Sequence, residues 1–150
     1  MCDTVLIDSY KAGRELRQGG SVVAQVRIVF EPVPAKGCIL PEHLRTPLVY
    51  IQDFMFADSD KNERPCKISD ILMYRLQRRC YRDSHGVIQR AGEVIPLLNV
   101  VRPVDIAPVY GGPVMGHELN EFNALEIPMY FWLNNMWDSD TYEALTVEGM

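Results

Sequence analysis

Two cysteine–histidine pairs repeat one spacing, Cys38 with His43 and Cys80 with His85, and Cys66 falls between them. Thiolate and imidazole are the side chains that hold tetrahedral zinc, so these five are the candidate metal ligands. Neither pair has the short C-x2-C knuckle that sets two thiolates on one turn, and small apolar thiols are common in cores, so the reading expects no metal and no cofactor. His117 and Glu118 open the stretch HELNE, but the second histidine needed to meet a metal from one helical face is missing. No serine sits in a G-x-S-x-G elbow, and no cysteine has a recognisable catalytic flank. Asp53, Asp105 and Glu118 are the acids that strand ends would have to bring together for metal-assisted phosphoryl transfer, although scattered acids are usually surface residues. The chain is therefore expected to bind and not to catalyse.

For binding, the densest group is Arg75, Arg78, Arg79 and Arg82, with Tyr74 and Tyr81 among them. Guanidinium groups beside stacking rings suit phosphate contact, while an ordinary solvated face, or a dock for an acidic segment, is the plainer explanation. Tyr50, Phe54, Phe56, Tyr74, Tyr130, Phe131 and Trp132 fall on expected strands. Such rings on a barrel can cage a methylated ammonium by cation-π attraction, or simply form the core. The contact surface expected from these two groups is Arg75, Arg78, Arg79, Arg82, Tyr50, Phe54, Tyr74 and Trp132.

Charge sets limits on the partner. Residues 1–102 hold all 15 lysines and arginines against 12 acids, whereas residues 103–150 hold 8 acids and no basic residue. Ordinary solvated faces are the plainer account of this split; otherwise the acidic last third covers the basic body or meets a different partner. A net charge of −5 argues against gripping DNA by phosphate contacts alone, which leaves local basic clusters as the route to nucleic acid. With 150 residues and 47% apolar residues, one domain with one core is expected. No run of about 18 apolar residues occurs, and MCDTVLIDSYKAGREL carries acids where an export signal needs basic and then apolar residues. The reading therefore expects an intracellular chain off the membrane, with its four cysteines reduced.

The elements that would position these residues are short. SYKAGRELR offers one weak helix before Gly19 and Gly20. VVAQVRIVFE alternates, with Val22, Ala24, Val26, Ile28 and Phe30 on one side, and LVYIQDFMF is apolar on both parities. Four prolines and a glycine in PVPAKGCILPEHLRTP make a loop between these strands. Residues 68–79 fit helix and strand spacing equally. EVIPLLNVV is a strand in which Pro96 implies an edge or a bulge, a second extended piece runs from Val104, and IPMYFWL is the last strand. The whole predicts a mainly β fold, a small partly open β-barrel with one or two short helices. Its parts are a lead-in over 1–20, the barrel over 21–135 and an acidic tail over 136–150.

The order VVAQVRIVF, PLVYIQDFMF, EVIPLLNVVRPVDIAPVYG and IPMYFWLNNMWDSDTY, across about residues 9–142, resembles a C-terminal module of proteins of mushroom-forming fungi that derive from Plavaka-type, CACTA-like transposons. The matching motifs are Val26 to Phe30, Leu48 to Phe56, Ile95 to Gly111 and Tyr130 to Asn135. This chain has Asp53 and Phe54 where the family has a Trp-Phe pair. The resemblance carries no catalytic residue and favours a strand for MYRLQRR. In strand order the segment is also similar to BAH and SH3-like barrels. What the resemblance implies is a nuclear, transposon-derived interaction module that binds chromatin, protein or nucleic acid. An accessory domain packed on a larger transposase, with Trp132 and Trp137 in its apolar patch, or a degenerate nuclease or hydrolase, are the alternatives.

Overall fold

In the computed structural model of the protein, residues 4–8, 21–57, 74–109 and 119–134 are described. They are mainly β, and the sheet curls into an open half-barrel. The strands are β1 (Thr4–Asp8), β2 (Ser21–Phe30), β3 (Leu48–Phe56), β4 (Tyr74–Arg78), β5 (Cys80–Arg82), β6 (Ile88–Arg90), β7 (Gly92–Pro96), β8 (Val100–Pro103), β9 (Ile106–Pro108) and β10 (Tyr130–Leu133). Helical turns in the described residues are two 3-10 pieces, Glu42–Leu44 and Leu97–Asn99. The expected helix over 9–17 lies outside the described residues.

The main sheet runs β8-β1-β2-β3-β4-β10-β9, and β7 pairs with β3 beside β4. All its pairings are antiparallel. β3 is long enough to serve two partners in succession: Leu48 to Gln52 pair with β7, and Phe54 to Phe56 with β4. Connectivity explains the curl. β7 and β8 lie beyond opposite ends of β1–β2–β3, yet only Leu97–Asn99 separates them in the chain. β8 and β9 likewise end the long path and are joined through Val104 and Asp105. The sheet must bend for such short links to reach.

Two apolar clusters follow from this bending, on opposite faces of the shared strands. One gathers Leu6, Val23, Phe54, Tyr74, Leu76, Val104, Phe131 and Leu133. The other gathers Val5, Ile7, Ala24, Val49, Ile51 and Ile95. Since neighbouring residues of a strand point to opposite faces, Leu6 and Val5 enter different clusters, as do Val23 and Ala24. Phe54 meets Phe131 edge to face at 5.4 Å. Thr4 anchors the β8–β9 link, donating its hydroxyl to the Val104 carbonyl at 2.6 Å and accepting the Val104 N–H at its own carbonyl.

Several sequence expectations are redrawn. The stretch set apart as a lead-in contains β1, an internal strand flanked by β2 and β8. In β2 the register shifts between Val26 and Ile28, so that Val26 faces Ile51 while Ile28 faces Tyr50. Arg27 is the extra residue of this bulge, and the alternation read straight through the strand changes side there. Ile28 consequently leaves the side of Val22, Ala24 and Val26. The strand expected over Glu93 to Val101 is two strands, because Pro96 ends β7 and a 3-10 turn follows. Residues 74–78 of the ambiguous stretch are strand, paired with β3 and β10. No helix among the described residues is long and apolar enough to cross a membrane.

Candidate functional site

The four arginines that are neighbours in sequence are directed to different places by the strand and hairpin that carry them. Arg75, opposite Trp132, lies 5.0 Å over the ring of Tyr130. Arg78 donates to the carbonyl oxygens of Glu126 and, at 3.2 Å, Ile127. Arg79 meets the buried carboxylate of Asp53 at 3.0 Å. Arg82 donates to the Gly86 carbonyl at 2.8 Å and so closes the β5–β6 hairpin. Each of the four has a different partner within the chain, so Arg75, Arg78, Arg79 and Arg82 do not gather into one cluster. Phe54 and Tyr74 leave the contact surface, because they are only 4% and 2% exposed in the core. Tyr50 and Trp132 are half-buried.

The candidate metal ligands do not converge. Cys38, His43, Cys80 and His85 are exposed, and Cys66 lies outside the described residues. Among the described residues no three His, Cys, Asp or Glu side chains gather as a cation site. Of the three acids considered for phosphoryl transfer, Asp53 is buried against Arg79, Asp105 is exposed, and Glu118 lies outside the described residues, as do His117 and Trp137.

What the fold does bring together is a different set. The β2 bulge places Arg27 beside Ile28, and Arg27 donates to the Glu126 carboxylate. Arg90, at the end of β6, reaches Gln25 Oε1 at 2.7 Å and stands 3.8 Å from Glu126 Oε2. Its guanidinium lies 5.5 Å over the ring of Phe54, and its side chain is only 11% exposed. Arg78 approaches the same segment from β4. Glu126 is carried by a compact turn over residues 119–127. There the side chain of Asn120 accepts the N–H groups of Phe122 and Asn123, and Asn123 Oδ1 accepts that of Asn120.

Electrostatics fits this geometry. Burial lowers the Arg90 pKa from its ordinary value, with the neighbouring charges of Arg78 and Arg27 acting the same way and Glu126 opposing them. Partial burial pushes the Glu126 carboxyl up, but the hydrogen bond and charge of Arg27 with the charge of Arg90 outweigh it, and the carboxyl is held below its ordinary value. Two guanidinium groups thus meet the carboxylate, while Arg78 holds the backbone carbonyl of the same residue.

Beside this cluster an apolar row crosses three strands. Ile28 faces Tyr50, and Tyr50 faces Val94, so all three share one side of the sheet. Ile28 is 55% exposed and Val94 51%. The Tyr50 ring lies against Gly92, where an added Cβ would stand 2.6 Å from the phenol oxygen. Sequence reasoning missed Arg27, Arg90 and Glu126 because 63 residues separate the arginines and 36 more lie before the acid. Arg27 falls on the polar parity of β2, where a charged residue is ordinary, so no local signal marked it.

No family model matches this chain, and neither a curated protein nor a solved structure matches it.

Proposed function

We propose that this chain is a non-enzymatic interaction module that binds a protein segment on the exposed side of β2, β3 and β7. The observation that carries this reading is the row Ile28, Tyr50 and Val94, held in register and left open beside Arg27 and Arg90. Three adjacent strands give an extended segment a rigid apolar platform, and the guanidinium groups at its end favour an acidic or phosphorylated residue in the partner. A methyl-lysine cage is less well supported, since Phe54 and Tyr74 lie inside the core. The resemblance to transposon-derived proteins makes a nuclear, chromatin-associated protein the first partner to try.

The test is a titration of the purified chain and its Ile28→Asp and Val94→Asp variants with modified histone peptides and with labelled duplex DNA, at two salt concentrations. Peptide binding lost in both variants, with unchanged circular dichroism, supports the reading. Binding to DNA alone, falling steeply with salt and indifferent to both substitutions, contradicts it.

A second reading, an accessory domain packed on a larger transposase, is favoured by another observation. Phe122 is 86% exposed, and Ile127, Met129 and Tyr130 on the way into β10 are exposed as well. Loss of association with a transposase on Phe122→Asp, but not on Ile28→Asp, would select it.

A further inference from the structure

We infer that Arg27, Arg78 and Arg90 form a receptor for a single phosphoryl group on the partner, in which the Glu126 carboxylate stands as an internal competitor. The inference rests on the interaction-module reading above and names the chemistry of the partner at one end of its binding row.

Three features of the cluster carry it. First, donors exceed acceptors. Nε and Nη2 of Arg90 and Nε of Arg78 are buried without a hydrogen-bond partner. Buried donors are nearly always satisfied in folded proteins, so these three nitrogens leave the two guanidiniums with donor capacity that an incoming acceptor can take. Second, charge is unbalanced, with the guanidinium groups of Arg27 and Arg90 on one carboxylate and that of Arg78 on the backbone carbonyl of the same residue. A phosphate monoester carries about −1.5 to −2 at neutral pH and three acceptor oxygens, which matches this surplus better than a carboxylate does. Third, the occupant is displaceable. Glu126 sits on a short turn tied to the body by Arg27, Arg78 and Arg90, and its side chain is 41% exposed.

The convergence also selects among phosphate sources. A nucleic acid offers a row of phosphates and needs basic groups strung along a groove. Here the three arginines point to one place, on a chain whose net charge is −5. A phosphoserine or phosphothreonine side chain, its flanking residues lying along Ile28, Tyr50 and Val94, is the occupant that fits. Binding exchanges the Glu126 carboxylate for the phosphoryl oxygens and frees the 119–127 turn, with no covalent step.

The experiment uses the full chain, its Glu126→Gln, Arg27→Met, Arg90→Met and Ile28→Asp variants, and three probes: inorganic phosphate, a phosphoserine peptide library with its unphosphorylated counterpart, and a short DNA duplex. Expected are weak phosphate binding that tightens about tenfold in Glu126→Gln, as removal of a competing charged acceptor should give, and its loss in Arg27→Met and Arg90→Met. Arg27 lies at an exposed bulge, so Arg27→Met keeps the test valid should Arg90→Met fail to fold. Phosphorylated peptides should outbind unphosphorylated ones, and Ile28→Asp should weaken peptide but not free phosphate. No phosphate binding by folded Glu126→Gln overturns the inference. If unphosphorylated peptides then still bind in an Ile28-dependent manner, the interaction reading survives alone. DNA binding with a salt dependence of many charges, retained in Arg27→Met, overturns both.

Discussion

At Gly92 a methyl group would stand 2.6 Å from the Tyr50 hydroxyl oxygen and 2.7 Å from the Ile51 carbonyl oxygen. The phenol can swing away, but the carbonyl belongs to the β3 backbone that pairs with β7, so Gly92→Ala should force the two strands apart. A loss of about 1–3 kcal/mol is expected, read as a lower urea midpoint at unchanged slope. Glu126 gives a pH prediction. Its carboxyl is held below its ordinary value of 4.5, so the stabilisation it provides is complete above that pH and is lost as pH falls through the lower folded-state value. The stability difference between the wild type and Glu126→Gln should therefore shrink on acidification below pH 4.5, and a difference that grew there would contradict the assignment. Arg79 and Arg82 looked equivalent in the sequence but hold a buried carboxylate and an exposed hairpin carbonyl respectively. Arg79→Met should cost about 1–3 kcal/mol and Arg82→Met under about 0.5. Only the packing of Asp53 separates the two, and no local pattern around either arginine announces it.

Among the elements, the β5–β6 hairpin turns on Gly86, whose φ is +80°, and on Asp83, whose Oδ1 accepts the N–H groups of His85 and Val87. Nothing crowds the space a Cβ would take at Gly86, so Gly86→Ala should cost only the backbone conformation, about 1–2 kcal/mol locally, and Gly86→Asn less. Hydrogen exchange at Val87 would show it. The turn was legible as SHG, and β3 was legible to the residue because it is apolar on both parities and has buried residues on each face. β1 was not. TVLID is a short apolar run between acids, and an internal strand buried on both faces has no alternation to display. The β2 bulge was equally hidden, since a register shift depends on which residues the partner strand presents, and it is this shift that brings Ile28 to the open face.

For the whole molecule, the two apolar clusters lie on opposite faces of β1, β2 and β3, so neither can dissolve while the other stays intact. Phe131→Ala in one cluster and Ile51→Ala in the other should each cost about 2–5 kcal/mol and shift a single cooperative transition. Two separate transitions would show independent units. A small, partly open β-barrel was readable from the spacing of short strands and breaks, whereas the site was not, because its members Gln25, Arg27, Arg90 and Glu126 meet only after β6 and the 119–127 turn are brought onto the face of β2. The most direct test of the account is an amide-resolved NMR titration of the full chain with the phosphorylated and unphosphorylated peptide pools. The predicted result is a joint shift of Ile28, Tyr50, Val94 and Glu126, larger for the phosphorylated pool. Shifts confined to the β5–β6 hairpin, or none on β2, β3 and β7 while a partner binds, would contradict it.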